Sequence, residues 1–315
     1  YCLTDEARQK LQPKKLHEIL AAMADKQLAA AREALSKAAP DERRTKMQEN
    51  WTRLLGDTTP AKDIKVREGA PHVEEVDGIT ITRELLETEP GIEVPVMTIE
   101  LTKFAKEKVR QPTLVVGLAA DGLTGILQRQ PELIAEGLSS DCIIVLPEVR
   151  GTGASHAGSG QQGGMSSYSA TSLMLGQPLL AGQLRDLRAV WKHMRGKHPR
   201  ISSSMAVGGS GVEPLAADAA FSYPRRIDGR PPECQPTGAL LAMLLGLYAD
   251  VDSVVCRHGL ASYGSVLDSQ FVQVPHECIV PGVFQAGDLP ALAEVLKIRE
   301  FSVDLPVDGR GRLAE

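Results

Sequence analysis

From residue 112 onward, short apolar runs alternate with helical stretches, and this alternation limits the fold more than any other feature. PTLVVGLAAD, CIIVLPEV, SMAVGGS, VDSVVCRHG and EFSVDLPVD read as strands. Between them, residues 126–138, an amphipathic stretch after Pro178 within 173–195, a small-residue stretch after Ser210, residues 237–249 and ALAEVLKI read as helices. Strands apolar at nearly every position are buried on both faces, as in parallel sheets whose crossovers are helices. The expected class is therefore α/β, with a mostly parallel central sheet flanked by helices. Ligands of such sheets gather beyond the carboxyl ends of the strands.

The first third of the chain has a different pattern. IKVREG, ITITRELLETE and IEVPVMTIEL alternate with period two and are separated by turn signals at Val76-Asp77-Gly78 and Glu89-Pro90-Gly91. This predicts an antiparallel meander over 62–103. Residues 5–56 are rich in Ala, Leu, Lys, Glu and Arg and predict two or three amphipathic helices, broken near Pro40-Asp41 with Asp41 as N-cap of the second. The division expected is a helical N-terminal extension over 1–60 and an α/β domain over 61–315.

A hydrophobic share of 43% supports a sizeable core, and with aromatics at 4% that core must be mainly aliphatic. The net charge of −5 offers no basic excess for phosphate backbones, so no nucleic-acid partner is expected. No apolar run approaches the ~20 residues of a membrane span. The Tyr1 start reads as a processed chain or one module of a longer tandem protein. Cys142 and Cys256 lie in apolar runs and are expected to be buried thiols, and a disulfide among Cys2, Cys234 and Cys278 stays open. No CxxC or Cys/His cluster has metal-ligand spacing, so no metal or organic cofactor is expected. Cysteine usage leaves the compartment unassigned.

Four segments fall at the expected carboxyl edge. Gly208-Gly209-Ser210-Gly211 follows an apolar strand, and small residues around a serine suit a sharp strand-to-helix turn that exposes a nucleophile. A plain turn or a phosphate-binding loop is the alternative, and Val212 stands where the last Gly of G-x-S-x-G would be. Ala119-Ala120-Asp121-Gly122 is either a tight β-to-α turn or the source of a second oxyanion N–H, from Asp121 or Gly122, beside that of Gly211. In PEVRGTG, Arg150 either pairs with a carboxylate to hold the loop or touches substrate. In LPVDG, Asp308 is either an Asp-Gly turn residue or an acid that orients a histidine. Of the histidines, His258 closes the fourth apolar strand and is the candidate base, with His156 and His276 as weaker ones; none follows Asp308.

These pieces together, PTLVVGLAADG, IIVLPEVRGTGAS, LMLGQPLLAGQLRDLRAVWKHM, AVGGSGVEP, VDSVVCRHGLASYGSVL, VPGVFQAGDLPALAEVLKIRE and LPVDGRGR, resemble the acetyl xylan esterase-like group of α/β-hydrolases, related to prolyl oligopeptidase-like serine hydrolases. The resemblance spans roughly two-thirds of the chain. It implies an α/β-hydrolase fold with Ser210 as nucleophile and Asp308 as triad acid. The family's histidine lies after a final strand and helix beyond the acid, and this sequence ends before them. Two functions follow as expectations. One is a serine carboxylic-ester hydrolase acting through an acyl-enzyme on Ser210, with an acetylated carbohydrate or other small ester as substrate. The other is a degenerate or truncated module that binds a ligand or partner domain.

Overall fold

The structure is a computed structural model that describes residues 4, 6, 10–106, 111–156, 164–209, 213–219, 235–296 and 300–314. Two helices lead, Leu16–Ser36 (α1) and Pro40–Leu55 (α2). Strands Lys65–Val66 (β1), His72–Val76 (β2), Ile79–Glu89 (β3) and Ile92–Leu101 (β4) follow, then a short helix, Thr102–Ala105 (α3). The alternating half runs Thr113–Ala119 (β5), Gly122–Arg129 (α4), Pro131–Ser139 (α5), Cys142–Pro147 (β6), Met165–Met174 (α6), Leu179–Lys197 (α7) and Ser203–Gly209 (β7). It continues through Thr237–Tyr248 (α8), Ser253–Arg257 (β8), Asp288–Val295 (α9) and Glu300–Asp304 (β9).

All the strands join one sheet in the order β1-β3-β4-β6-β5-β7-β8-β9, with β2 also on β3. The first four strands pair antiparallel, β4 meets β6 antiparallel, and β5 to β9 are parallel. The Asp77 and Gly78 turn, both at positive φ, closes the β2–β3 hairpin, and such a pair of residues matches the twist of the strands it joins.

Period-two alternation sorts the strand side chains between two cores. Leu114, Val116 and Leu118 of β5, with Ile143 and Val145 of β6, face the larger core, which α7, α8 and α9 cover. Val115 and Ala119, with Ile144 and Leu146, face a smaller core beneath α4. Helix α2 belongs to the larger core: Met47, Trp51 and Leu55 are fully buried in it. Arg44 fastens the same helix, donating to the Gly246, Leu247 and Ala249 carbonyls at 2.6, 3.0 and 3.1 Å. These are the carbonyls that a helix C-terminus leaves without intrahelical partners. Burial of the guanidinium lowers the Arg44 pKa, against the pull of Asp250.

Three local expectations are corrected. Helix α2 starts at Pro40 with Ala39 at the N-cap position, so Asp41 lies inside it. Residues 126–138 are two helices, because Pro131 cannot continue α4 and opens α5 with Gln130 between them. No helix is formed by Glu213–Ala219, the described residues after Ser210. Leu215 instead bridges to Arg312, donating to the Gly311 carbonyl at 2.9 Å and accepting from Leu313 N at 2.8 Å. Among the described residues, the next helix after β7 is α8, from Thr237. Cys142, Cys256 and Cys278 are buried, Cys278 within hydrogen-bond reach of Thr237 Oγ1 at 3.3 Å, while Cys2 and Cys234 lie outside the described residues.

Candidate active site

Register fixes how the strand ends align. Ala119 of β5 pairs with Gly209 of β7, Gly209 with Arg257 of β8, and Arg257 with Asp304 of β9. The residues that come next in each strand therefore emerge along one edge. The glycines there are required by close backbone approach. A Cβ on Gly208 would strike the Gly238 carbonyl, and one on Gly238 would strike the Leu118 carbonyl. The first turn of α8 thus lies directly on the ends of β5 and β7. Gly209 similarly leaves room for the Gln130 side-chain amide. Ser210 and Gly211, the expected nucleophile and oxyanion donor, lie outside the described residues.

His258 follows β8 with φ +52°, a left-handed conformation uncommon for a side chain of this size. Its N–H donates to the Asp304 carbonyl at 2.9 Å, which holds it against the end of β9. Burial lowers its pKa below the ordinary histidine value; Arg257 acts in the same direction, and Glu213 and Asp304 oppose it. A lowered pKa favours the neutral ring, the form that accepts a proton. The other expected candidates have different settings: His276 Nδ1 is 3.1 Å from Ser169 Oγ on α6, and His156 directly follows the short 3-10 helix Gly153–Ser155 after β6.

Asp308 lies in the turn after β9. Its Oδ1 accepts from Arg310 N at 2.8 Å and Arg312 N at 3.0 Å; its Oδ2 accepts from Arg312 Nε at 2.9 Å and Nη2 at 2.8 Å. A carboxylate has about four lone-pair sites, so these four donors fill it. In this arrangement Asp308 holds its own turn and has no acceptor site left for a histidine.

Asp121 is the residue before α4 and forms an ion pair with Arg129, while its Oδ1 is buried with no hydrogen-bond partner among the described residues. Glu148, to which the sequence reading gave no role, caps the same helix start, accepting from Leu123 N at 3.2 Å and from Ala154 N at 3.3 Å. Its only sequence signal was its place in PEVRGTG. Arg150 donates to Asp186 from N at 3.0 Å, Nε at 2.8 Å and Nη2 at 2.6 Å, and also pairs with Glu89. Burial alone would lower the Arg150 pKa, but the hydrogen bonds and charges of Asp186 and Glu89 raise it. Of its two expected roles, loop holding is the one these contacts describe. No group of His, Cys, Asp and Glu among the described residues is arranged to hold a metal ion, and no described helix is long and apolar enough to cross a membrane.

The fold is similar to those of solved esterase structures. A candidate acetyl xylan esterase from Bacteroides fragilis matches with TM-score 0.61 at 12% identity, over 86% of this chain and 70% of that one. The chain has an α/β-hydrolase fold. A methylesterase matches with TM-score 0.50 at 15% identity, over 89% of this chain but only 54% of its own, so this chain spans about half of that protein. At such identities the likeness concerns the fold. No family model and no curated protein matches the sequence. His258 directly follows the end of β8, which pairs with β7.

Proposed function

We propose that this chain is a serine carboxylic-ester hydrolase, with Ser210 as nucleophile and His258 as the base that accepts its proton. The observation that carries this reading is the pairing of Gly209 with Arg257. Each candidate is the next residue along from a paired position. Consecutive Cα atoms are ~3.8 Å apart and paired strands ~4.8 Å apart, so the two Cα atoms are at most about 12 Å apart. A serine and an imidazole can share a hydrogen bond when their Cα atoms lie within roughly 10 Å, so connectivity along the two strands permits the pair. The neutral ring that the lowered pKa of His258 favours suits a base at neutral pH.

The proposed reaction is acyl transfer. Ser210 Oγ attacks the ester carbonyl as its proton passes to His258, and the protonated imidazole then gives that proton to the departing alcohol. Water repeats the sequence to release the acid. Backbone N–H groups of Gly211 and Asp121 are proposed to receive the oxyanion. The carboxylates that favour a charged His258 are Glu213, then Asp304. Acetylated carbohydrate belongs to this proposal only through the named likeness to an acetyl xylan esterase.

A second reading has its own support. Residues 213–219, the described residues after the candidate nucleophile, form no helix, whereas a compact nucleophile turn passes straight into its helix. On that reading the edge binds a ligand or partner without turnover. A serine-directed fluorophosphonate separates the two. Labelling of folded wild type that is lost in Ser210→Ala, with p-nitrophenyl ester hydrolysis lost in both Ser210→Ala and His258→Ala, is the expected result. Folded protein that neither labels nor hydrolyses overturns the hydrolase.

A further inference from the structure

An apolar cleft of about 240 Å³ opens at the carboxyl end of the sheet, between β8, β9 and the first turns of α8 and α9. Ala239, Met243, Cys256, Leu260, Leu289 and Phe301 line it. The cleft adjoins the candidate base: Cys256 and Gly259, which flank Arg257 and His258 in the chain, are both in its wall. Gly259 is itself required, since a Cβ there would approach the Ala239 Cβ to 2.9 Å. The result is an apolar hollow beside the backbone of His258, while the Arg257 side chain pairs with Glu132 of α5.

Size and chemistry limit what fits. The volume is below the ~300–1,000 Å³ of sites for drug-sized ligands, and an oligosaccharide would find few hydrogen-bonding groups in such a lining. At ~30 Å³ for each water-sized group, there is room for about eight. An acetyl group would leave most of that space empty.

We infer that this cleft receives the acyl chain of a carboxylic ester, about six to eight carbons long, with the ester carbonyl held at the His258 rim. The inference rests on the hydrolase proposal for the same site and narrows its substrate from acetyl to medium-chain esters. The apolar lining accounts for affinity, and burial of each methylene strengthens binding about fourfold.

Calorimetric binding of hexanoate and acetate to the full chain carrying Ser210→Ala tests the cleft without turnover. Hexanoate is expected to bind at least tenfold more tightly than acetate, and Ala293→Phe, which fills the cleft from α9, is expected to abolish that difference. Ala261→Leu fills it from the opposite wall should the first variant unfold. Equal binding of the two acids, or a preference that neither filled variant reduces, overturns the inference. So does self-association that excludes hexanoate, because a second copy then covers the cleft. In wild type, a higher kcat/KM for p-nitrophenyl hexanoate than for the acetate supports it further. Hexanoate binding that Ala293→Phe blocks, in a protein that turns over no ester, keeps the cleft assignment and removes the hydrolase.

Discussion

Arg312 grips the Asp308 carboxylate with two nitrogens, Nε at 2.9 Å and Nη2 at 2.8 Å, while two backbone N–H groups occupy its other oxygen. The pair closes the turn against which the segment after Ser210 is bridged, through Leu215. Both side chains are largely buried, at 17% and 21% exposure. Removing one partner leaves charged groups partly desolvated, a loss of about 1–3 kcal/mol. Arg312→Leu should therefore lower the unfolding free energy by that amount in urea titration. Asp308→Asn should destabilise similarly, and its kcat/KM relative to folded protein should fall far less than that of His258→Ala. Equal losses from these two variants would return Asp308 to the catalytic group.

The lowered pKa of His258 predicts the acid limb of activity. Its base form is the neutral ring, so kcat/KM should rise with pH and level off, with the midpoint below the ordinary histidine value of ~6.5. Replacing Glu213, the first carboxylate favouring the charged ring, by Gln should move that midpoint lower still. A midpoint that shifts upward in Glu213→Gln would show that the two groups do not interact as described.

Glu84 links β3 to α7 in a buried cluster with His193 and Lys197, the Lys197 contact at 2.8 Å. Burial alone would raise its pKa, but the His193 ring 3.5 Å away, the Lys197 hydrogen bond and the charges of both hold it down to about 2. A carboxylate depressed in the folded state contributes stability above its unfolded value of ~4.3, and that contribution is lost as pH falls toward 2. Wild type should lose roughly 2–3 kcal/mol through this group across that window. In Glu84→Gln, denaturant midpoints measured from pH 5 to pH 2 should fall less steeply.

Helix α2 should be inseparable from the sheet. Trp51 is fully buried in the core that α7 and α8 share, and truncating such a side chain costs about 3–5 kcal/mol. Trp51→Ala should therefore bring a single, earlier cooperative transition detected alike by heat and by near-UV dichroism. Two separated transitions would mean that the N-terminal helices fold as a unit of their own.

What the sequence determined by itself was the pattern of elements. Apolar runs such as CIIVLPEV cannot be exposed on either face, so a covered parallel sheet was legible; in ITITRELLETE the buried positions are Thr80, Glu84, Leu86 and Thr88, which its apolar residues do not announce. The candidate histidine was legible too, because the end of an apolar strand is a carboxyl edge. Tertiary structure alone decided the contacts across that edge. GVEPLAADAA has the small residues of a packed helix, but Leu215 finds its backbone partners in Gly311 and Leu313, some hundred residues away in sequence. Asp308 looked equally suited to a turn or a histidine until Arg312 and two amides filled its oxygens. The apolar cleft beside His258 was likewise invisible in sequence, since its walls come from α8, α9, β8 and β9. Local pattern encodes burial and periodicity, whereas the partner of a charge and the shape of a void depend on which distant segments the fold brings together.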